Sequence, residues 1–131
     1  EMCIRDRGNM MHHSQLEYLV AVQKLQRQDR GAKGYEVAEY LNVSPAYAVK
    51  LNVYAESQGY VLRDRARTIR LTPLGEQVME EYLAAARSMG KFLCSCGADE
   101  GDVKGDAVRC VCALTGSTRQ ALVKAHTAQN G

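Results

Sequence analysis

The strongest constraint on the fold lies in residues 35–59, where a helical pattern stops at a short turn and then resumes. Residues 35–41 carry apolar side chains at helical spacing, and a three-residue turn follows at positions 42–44. The next helix begins at Ser44-Pro45, because serine caps the first amides and proline at the first helical position sacrifices no hydrogen bond. Gly59 predicts its end in a left-handed conformation. This order is typical of a helix-turn-helix.

The flanking segments predict a winged version of that motif. Ser14 and Glu17 have the spacing of a capping box, so we expect a first helix over residues 14–28. Two short apolar strands, residues 60–62 and 68–71, enclose a basic segment and predict a β-hairpin wing. Further helices are expected from Pro73 to residue 92 or 93, over residues 102–114, and up to about Thr127. The predicted fold class is mostly α: three helices and a two-stranded wing, followed by a helical dimerisation region.

This pattern also predicts the domain organisation. Residues 11–72 form the winged helix-turn-helix, residues 73–128 the helical dimerisation region, and residues 129–131 a tail. The first seven residues, EMCIRDR, have no amphipathic pattern. We therefore expect residues 1–10 to be a non-native or disordered lead.

Composition narrows the function classes. Hydrophobic residues make up 46% of the 131 positions and charged residues 24%, a balance typical of a folded protein. No apolar run reaches the roughly 18 residues of a membrane span, so we expect a cytoplasmic protein without membrane contact. The sequence contains no glycine-rich phosphate loop and no HExxH motif, and no nucleophile stands near a recognisable base. An enzyme is not expected.

The charges are distributed unevenly along the chain. Residues 59–70 contain four arginines and one aspartate, whereas residues 75–106 contain three basic and seven acidic side chains. Such asymmetry indicates one region that faces a polyanion and another that faces something else.

Double-stranded DNA is the partner that this pattern predicts. On the helix from Pro45 we expect Val49, either Leu51 or Val53, and Tyr54 to be buried. The residues that we expect to face outward from this helix could contact bases or phosphates, and Asn52 could do so only if it points outward. The wing arginines would contribute the salt-dependent attraction to phosphates. The predicted DNA-binding residues are Ser44, Pro45, Ala46, Tyr47, Lys50, Asn52, Arg63, Arg65 and Arg67.

After the wing, LTPLG at residues 71–75 joins a strand to a helix. Together with VAEYLNVSPAYAVKLN, KFLCSCGADEGD and DAVRCVCALTGSTRQAL, this segment resembles the iron and manganese regulators typified by the diphtheria toxin repressor and the manganese transport regulator. The resemblance extends from Ser14 to Lys124. It implies a homodimer that binds a palindromic operator and represses metal-uptake genes when Mn²⁺ or Fe²⁺ is bound.

The positions at which the family holds its metal differ in this chain. Glu17 stands where the family has an acidic or thioether ligand, but Ala86 stands where it has a histidine. The E/C-x-x-E-H positions of the next helix are occupied by Val108, Val111 and Cys112. Glu17 and Cys112 alone are too few donors for a tight divalent site. One hypothesis is therefore a regulator that binds DNA without the family's metal.

Two other metal hypotheses remain open. His13 and Glu17 are four residues apart and would share a helix face, which predicts a rearranged site. Alternatively, the CxC pairs Cys94–Cys96 and Cys110–Cys112 would bind a soft ion such as Zn²⁺ or Cu⁺, or switch by oxidation. Against a shared ion, residues two apart on a helix point about 200° apart.

The helix after Pro73 has more apolar side chains than one small core can cover. The candidates for a homodimer interface are Val78, Tyr82, Met89, Leu114 and Leu122. A winged helix that binds proteins in place of DNA is a further alternative, for which an acidic recognition face would be the expected sign.

Overall fold

A computed structural model describes residues 11–130, with side chains as far as residue 128. Helices α1 (His13–Leu25), α2 (Gly34–Leu41) and α3 (Pro45–Ser57) precede strands β1 (Val61–Arg63) and β2 (Ile69–Leu71), and α4 (Pro73–Ser95), α5 (Glu100–Ala113) and α6 (Gly116–Asn130) follow. The predicted fold class is confirmed: the described chain is mostly helical, with a winged helix-turn-helix followed by three further helices. The predicted lead, residues 1–10, and Gly131 of the predicted tail lie outside the described residues, whereas α6 runs to Asn130.

The described residues form two compact units, which we call the winged unit (residues 14–79) and the helical unit (residues 11–13 and 80–130). The division falls within α4, so the first two turns of that helix belong to the winged unit. Its backbone lies directly on the preceding segment, since a Cβ atom at Gly75 would lie 2.0 Å from the Tyr60 carbonyl oxygen. The Thr72 hydroxyl accepts a hydrogen bond from the Gly75 amide (3.0 Å) and donates one to the Gly59 carbonyl (2.6 Å).

Helix α1 differs from its prediction at both ends. It begins at His13, so Ser14 lies inside the first turn and the predicted capping box is wrong, because a capping residue must precede its helix. The helix ends at Leu25, and the groups that follow pair with β2. The Gln26 side-chain oxygen accepts the Leu71 amide (3.0 Å), and the Arg70 guanidinium donates to the Arg27 carbonyl (2.7 Å).

Local signals determine the ends of α2 and α3. The Lys33 amide donates to the Glu36 carboxylate (2.9 Å) at the start of α2, and Asn42 ends it in the left-handed conformation (φ 56°). The Ser44 hydroxyl accepts the Tyr47 amide (3.1 Å), which makes it the predicted cap of α3. Gly59 follows α3 with φ 78°, as predicted.

The hairpin pairs Val61 with Leu71 and Arg63 with Ile69 in antiparallel register. Ala32 forms an isolated antiparallel bridge to β2, because its amide and carbonyl each bond to Ile69 at 2.7 Å. Glycine is required beside it, since a Cβ atom at Gly31 would lie 2.4 Å from the Ile69 carbonyl oxygen. The buried apolar side chains of the winged unit include Leu16, Tyr18, Leu19, Val22, Val37, Ala38, Ala48, Leu51, Ala55, Val61, Ile69 and Leu71.

The helical unit holds its helices together mainly through small and apolar residues. Gly90 on α4 leaves room for α5, since a Cβ atom there would meet Val103 at 3.5 Å and Ala107 at 3.9 Å. The Ser88 hydroxyl donates to the Leu122 carbonyl of α6 (2.7 Å). Among residues 11–130, no helix has the length and apolarity needed to cross a membrane.

Candidate nucleic-acid interface

Helix α3 presents most of the predicted DNA-contacting residues to solvent. Its buried side is formed by Ala48, Leu51, Asn52 and Ala55. Since successive residues turn by 100°, the centre of the opposite face is formed by positions 46, 50 and 53. The predicted residues that are exposed on and before this helix are Ser44, Pro45, Ala46, Tyr47 and Lys50.

Asn52 corrects the sequence prediction, because it lies in the core with 3% of its surface exposed. The Tyr18 hydroxyl donates to its side-chain oxygen, and its amide nitrogen donates to the Glu56 carboxylate. Burial raises the pKa of Tyr18 above its ordinary value, so the phenol stays protonated and remains a donor. Asn52 therefore joins α1 to α3 and is not directed to a duplex.

Val49 and Val53 were predicted as burial candidates, yet they are 55% and 60% exposed. Leu51 is buried, as expected for one of the two alternatives, and Tyr54 is half-buried. The prediction for Val49 and Val53 is wrong because it assigned Asn52 to the outer face of α3. With Asn52 on the buried side, the two valines lie toward solvent. The two valines form an exposed apolar stripe beside Lys50.

The wing is a five-residue connection held by one carboxylate. Asp64 accepts hydrogen bonds from the Thr68 amide (2.9 Å) and hydroxyl, and these bonds lower the pKa of Asp64 from its ordinary value. The Asp64 and Thr68 backbones also pair, and Arg67 takes a left-handed conformation (φ 65°). Arg65 and Arg67 are both exposed. The single acidic side chain of this segment is thus bonded within the turn, while two arginines face solvent.

The remaining wing-strand arginines are held by neighbours. Arg63 Nε lies 3.5 Å from a Glu56 carboxylate oxygen, which ties β1 to α3. Arg70 donates to the carbonyl oxygens of Arg27 (2.7 Å) and Gln28 (3.2 Å), so it braces the loop after α1. Arg63 is exposed and forms one ion pair with Glu56, whereas Arg70 has a structural role in holding the loop after α1.

A cavity of about 240 Å³ opens between the helices and the hairpin of the winged unit. Val37, Ala48, Val49 and Ile69 supply apolar walls, and Tyr18, Asn52 and Arg63 supply polar atoms; Gly34, Tyr35 and Pro45 complete the lining. Val49 and Arg63 therefore border the same depression, which places the valine stripe next to the base of the wing.

The predicted metal ligands do not form a recognisable centre. Glu17 is exposed on α1, the His13 ring lies against the His12 ring with centroids 4.2 Å apart, and Cys112 is buried on α5. Among residues 11–130, no group of three or more His, Cys, Asp or Glu side chains is placed to hold a metal ion. Ala86 and Val111, at two ligand positions implied by the resemblance, are buried apolar residues. The side chains present do not fit a divalent cation.

The Cys110–Cys112 pair shows the divergence expected of residues two apart on a helix. Cys110 is exposed and Cys112 is buried on α5, while Cys94 and Cys96 are both exposed. The thiols of Cys110 and Cys112 therefore do not share one surface.

The predicted interface residues of α4 to α6 have varied environments. Tyr82 is buried, and the Arg119 guanidinium lies 4.1 Å from its ring centroid. The other four predicted residues are half-buried: Val78, Met89, Leu114 and Leu122. Sequence reasoning did not select Phe92, which is 61% exposed near the end of α4. Its position at the end of a long apolar helix was the available signal.

Comparison with solved structures places this architecture among known folds. A hypothetical protein of Sulfolobus solfataricus is 17% identical, with a TM-score of 0.73 over 87% of this chain and 88% of that protein. The metal-dependent transcriptional regulator MtsR is 21% identical with a TM-score of 0.69, and the manganese regulator SloR is 18% identical with a TM-score of 0.70. Each match to these two regulators covers 84% of this chain and 52% of theirs.

These similarities confirm, at the level of the fold, the resemblance to metal-dependent winged-helix regulators. The chain spans about half the length of MtsR and SloR. No family model matches the sequence, and no curated protein is significantly similar to it.

Proposed function

We propose that this protein is a transcription regulator that binds double-stranded DNA as a homodimer, with α3 in the major groove and the wing on the phosphate backbone. The observation that carries the proposal is the cationic surface of the winged unit. Lys50 is exposed on α3, and Arg65 and Arg67 are exposed at the end of the hairpin that follows it. A regulator that binds DNA in this way would act in the cytoplasm, so the proposal includes the predicted cytoplasmic localisation.

The two parts of this surface have different tasks. A capped helix with an exposed N-terminal half matches the width of the major groove, where base edges can be distinguished. Ser44, Pro45, Ala46, Tyr47 and Lys50 are the proposed contacts there. Arg65 and Arg67, with Arg63 behind them, neutralise phosphates, release counterions and make the affinity strongly dependent on salt.

The homodimer is proposed through the helical unit. Half-buried Met89, Leu114 and Leu122 and exposed Phe92 are apolar side chains that a second copy would cover. Twofold symmetry would set two α3 helices about one DNA turn apart and match a palindromic operator. Sedimentation equilibrium of the full chain measures this association directly.

We also propose that DNA binding does not require Mn²⁺ or Fe²⁺. The resemblance implies such a cation, but the helical unit has Ala86 and Val111 at expected ligand positions, and neither side chain can bind a metal. The remaining donors offer little to replace the hydration shell of a divalent ion. A thiol sensor for Zn²⁺ receives no support from Cys110 and Cys112, which lie on opposite sides of α5.

A protein-binding winged helix is the second candidate, and the exposed Val53 and Leu62 favour it. The same apolar area suits a protein partner, whereas the cationic wing suits DNA. Measuring duplex affinity decides between the two.

The deciding experiment is a fluorescence-anisotropy titration of duplexes selected from a random pool, at two salt concentrations. The double substitution Arg65→Ala/Arg67→Ala should weaken binding to every duplex and lower the slope of log affinity against log salt by about two per protomer, or about four for the proposed dimer. Arg87→Ala removes an exposed arginine from α4, outside the proposed DNA interface, and serves as the matched control. It should leave both quantities close to wild type.

Absence of duplex binding by the wild-type chain at low salt would refute DNA binding and favour the protein-binding alternative. Wild-type affinity in the double variant would refute only the role of the wing and would leave DNA binding standing. In a further titration, Mn²⁺ or Fe²⁺ should change affinity by less than about tenfold, or 1.4 kcal/mol. A larger saturable change would contradict metal-independent binding.

A further inference from the structure

The exposed face of α3 has few groups that can read bases through hydrogen bonds. The Asn52 amide, the side chain best suited to adenine, is engaged by Tyr18 and Glu56 in the core. The Ser44 hydroxyl accepts the Tyr47 amide. The Ser44 hydroxyl, which keeps its proton as a donor, Tyr47 and Lys50 are therefore the exposed polar side chains at the start of α3.

Apolar area is more abundant on the same face. Val49 and Val53 are 55% and 60% exposed, and Ala46 completes the row. Val49 and Val53 are four residues apart, so they share one side of the helix and are separated by a rise of about 6 Å. This rise corresponds to about two base-pair steps of 3.4 Å.

The surroundings of the stripe favour a polyanion over an apolar protein. Lys50 lies next to it on α3, and Val49 borders the cavity that Arg63 also lines. Glu56, the acidic side chain of α3, is exposed, but its carboxylate is bonded to Asn52 and paired with Arg63. An apolar stripe set among cations suits the major groove, where thymine is distinguished by its C5-methyl group.

We propose that Val49 and Val53 select operator sequence by packing against the C5-methyl groups of thymines at neighbouring positions of each half-site. This inference rests on the proposed DNA-binding function and assigns its base specificity to apolar contact. Lys50 then contributes attraction to phosphate or guanine, and the identity of the contacted bases depends mainly on methyl groups.

Deoxyuridine tests the proposal, because it pairs as thymidine does and lacks only the methyl group. A duplex selected from a random pool by the wild-type chain is remade with deoxyuridine in place of each thymidine, singly and together. Loss of one contacted methyl should weaken binding about fourfold, and loss of two about fifteenfold. The readout is the affinity ratio between the thymidine and deoxyuridine duplexes.

The double substitution Val49→Ala/Val53→Ala should bring that ratio close to one. Leu62→Ala, which truncates another exposed apolar side chain on β1, is the matched control and should keep the wild-type ratio. All three side chains are largely solvent-exposed, and thermal unfolding by circular dichroism verifies that each variant is folded.

Three results would overturn the proposal. Equal affinity of the wild-type chain for both duplexes would refute methyl recognition and leave the proposed DNA-binding function standing. Unchanged discrimination in the double valine variant would assign the reading to other residues. Loss of self-association in that variant, with duplex affinity unchanged, would assign the stripe to a second copy of the chain. Failure of the wild-type chain to bind any duplex would instead refute the proposed function.

Discussion

The winged unit and the helical unit are stabilised in different ways. In the winged unit, specific polar bonds determine where elements begin and how they meet: Ser44 caps α3, Asp64 holds the wing, and Asn52 joins α1 to α3. In the helical unit, small residues such as Gly90 allow close helix packing, and apolar residues occupy the positions at which the resemblance implies metal ligands. The side chains of the proposed DNA interface lie within residues 14–79.

This difference predicts that equivalent substitutions will have different effects in the two units. The glycines of α4 provide the largest contrast. Gly75→Ala would bring Cβ against the Tyr60 carbonyl oxygen, a backbone atom that cannot rotate away, and should lower the free energy of unfolding by at least about 2 kcal/mol. Gly90→Ala should instead raise it by about 0.5–1 kcal/mol, because alanine favours helix and its Cβ meets ordinary contacts.

Urea denaturation followed by circular dichroism measures both variants on the same helix. Similar destabilisation by the two substitutions would contradict the contrast between a unit held by close backbone contact and one with room for a methyl group.

The buried hydrogen bond between Tyr18 and Asn52 gives the second contrast. Asn52→Leu leaves the Tyr18 hydroxyl without this acceptor and should destabilise the chain by about 1–3 kcal/mol, as should Tyr18→Phe for the converse reason. The double variant should lose less than the sum of the single losses, since neither partner is then left unsatisfied. Ser88→Ala, which removes one hydrogen bond in the helical unit, should cost about 1 kcal/mol.

Urea unfolding of this double-mutant cycle measures the coupling. Additive losses for Tyr18→Phe and Asn52→Leu would mean that the pair does not act as a unit in joining α1 to α3.

The smallest effect is expected from surface ion pairs, and it should depend on pH. The hydrogen bond from Arg30, with help from the Lys33 amide, lowers the pKa of Glu36 from its ordinary 4.5 to about 2. A lowered pKa stabilises the folded state above the ordinary value, and this contribution disappears as the pH falls from about 4.5 to about 2. Glu36→Gln should therefore lower the melting temperature slightly at pH 7, and the deficit should shrink through that range.

Asp106→Asn is the control in the helical unit, where Asp106 pairs with Arg109 on the exposed surface of α5 (3.1 Å). Melting curves between pH 2 and pH 7 compare the two variants. A Glu36→Gln deficit that does not change with pH would contradict the assigned pairing.

The ends of a helix could be predicted from the sequence where they depend on interactions between residues close together in the chain. Ser44-Pro45 and Gly59 act within a few residues of themselves, so the limits of α3 were predicted correctly. Ser14 also had the right local pattern, yet α1 begins one residue earlier. A capping pattern identifies a possible helix start and does not exclude another one nearby.

The candidate site was predicted less completely because burial depends on distant partners. Asn52 is buried by Tyr18, which lies 34 residues earlier in the chain. The apolar pattern of α3 is ambiguous without that contact, since valines at 49 and 53 are reasonable core residues. Similarly, nothing in the composition of the basic segment indicates that Arg70 braces the loop after α1 while Arg65 and Arg67 remain exposed.

The sequence by itself determined the order of elements, the turn and caps of the helix-turn-helix, and the concentration of arginines in the wing. These features depend on backbone propensities and short-range hydrogen bonds, which neighbouring residues specify. Only the tertiary structure decided which side of α3 faces solvent and which arginines remain available. The first choice arises because buried Asn52 must find a hydrogen-bond partner, and the second because Arg70 bonds to backbone carbonyls of residues 27 and 28; in both cases the partner lies elsewhere in the chain.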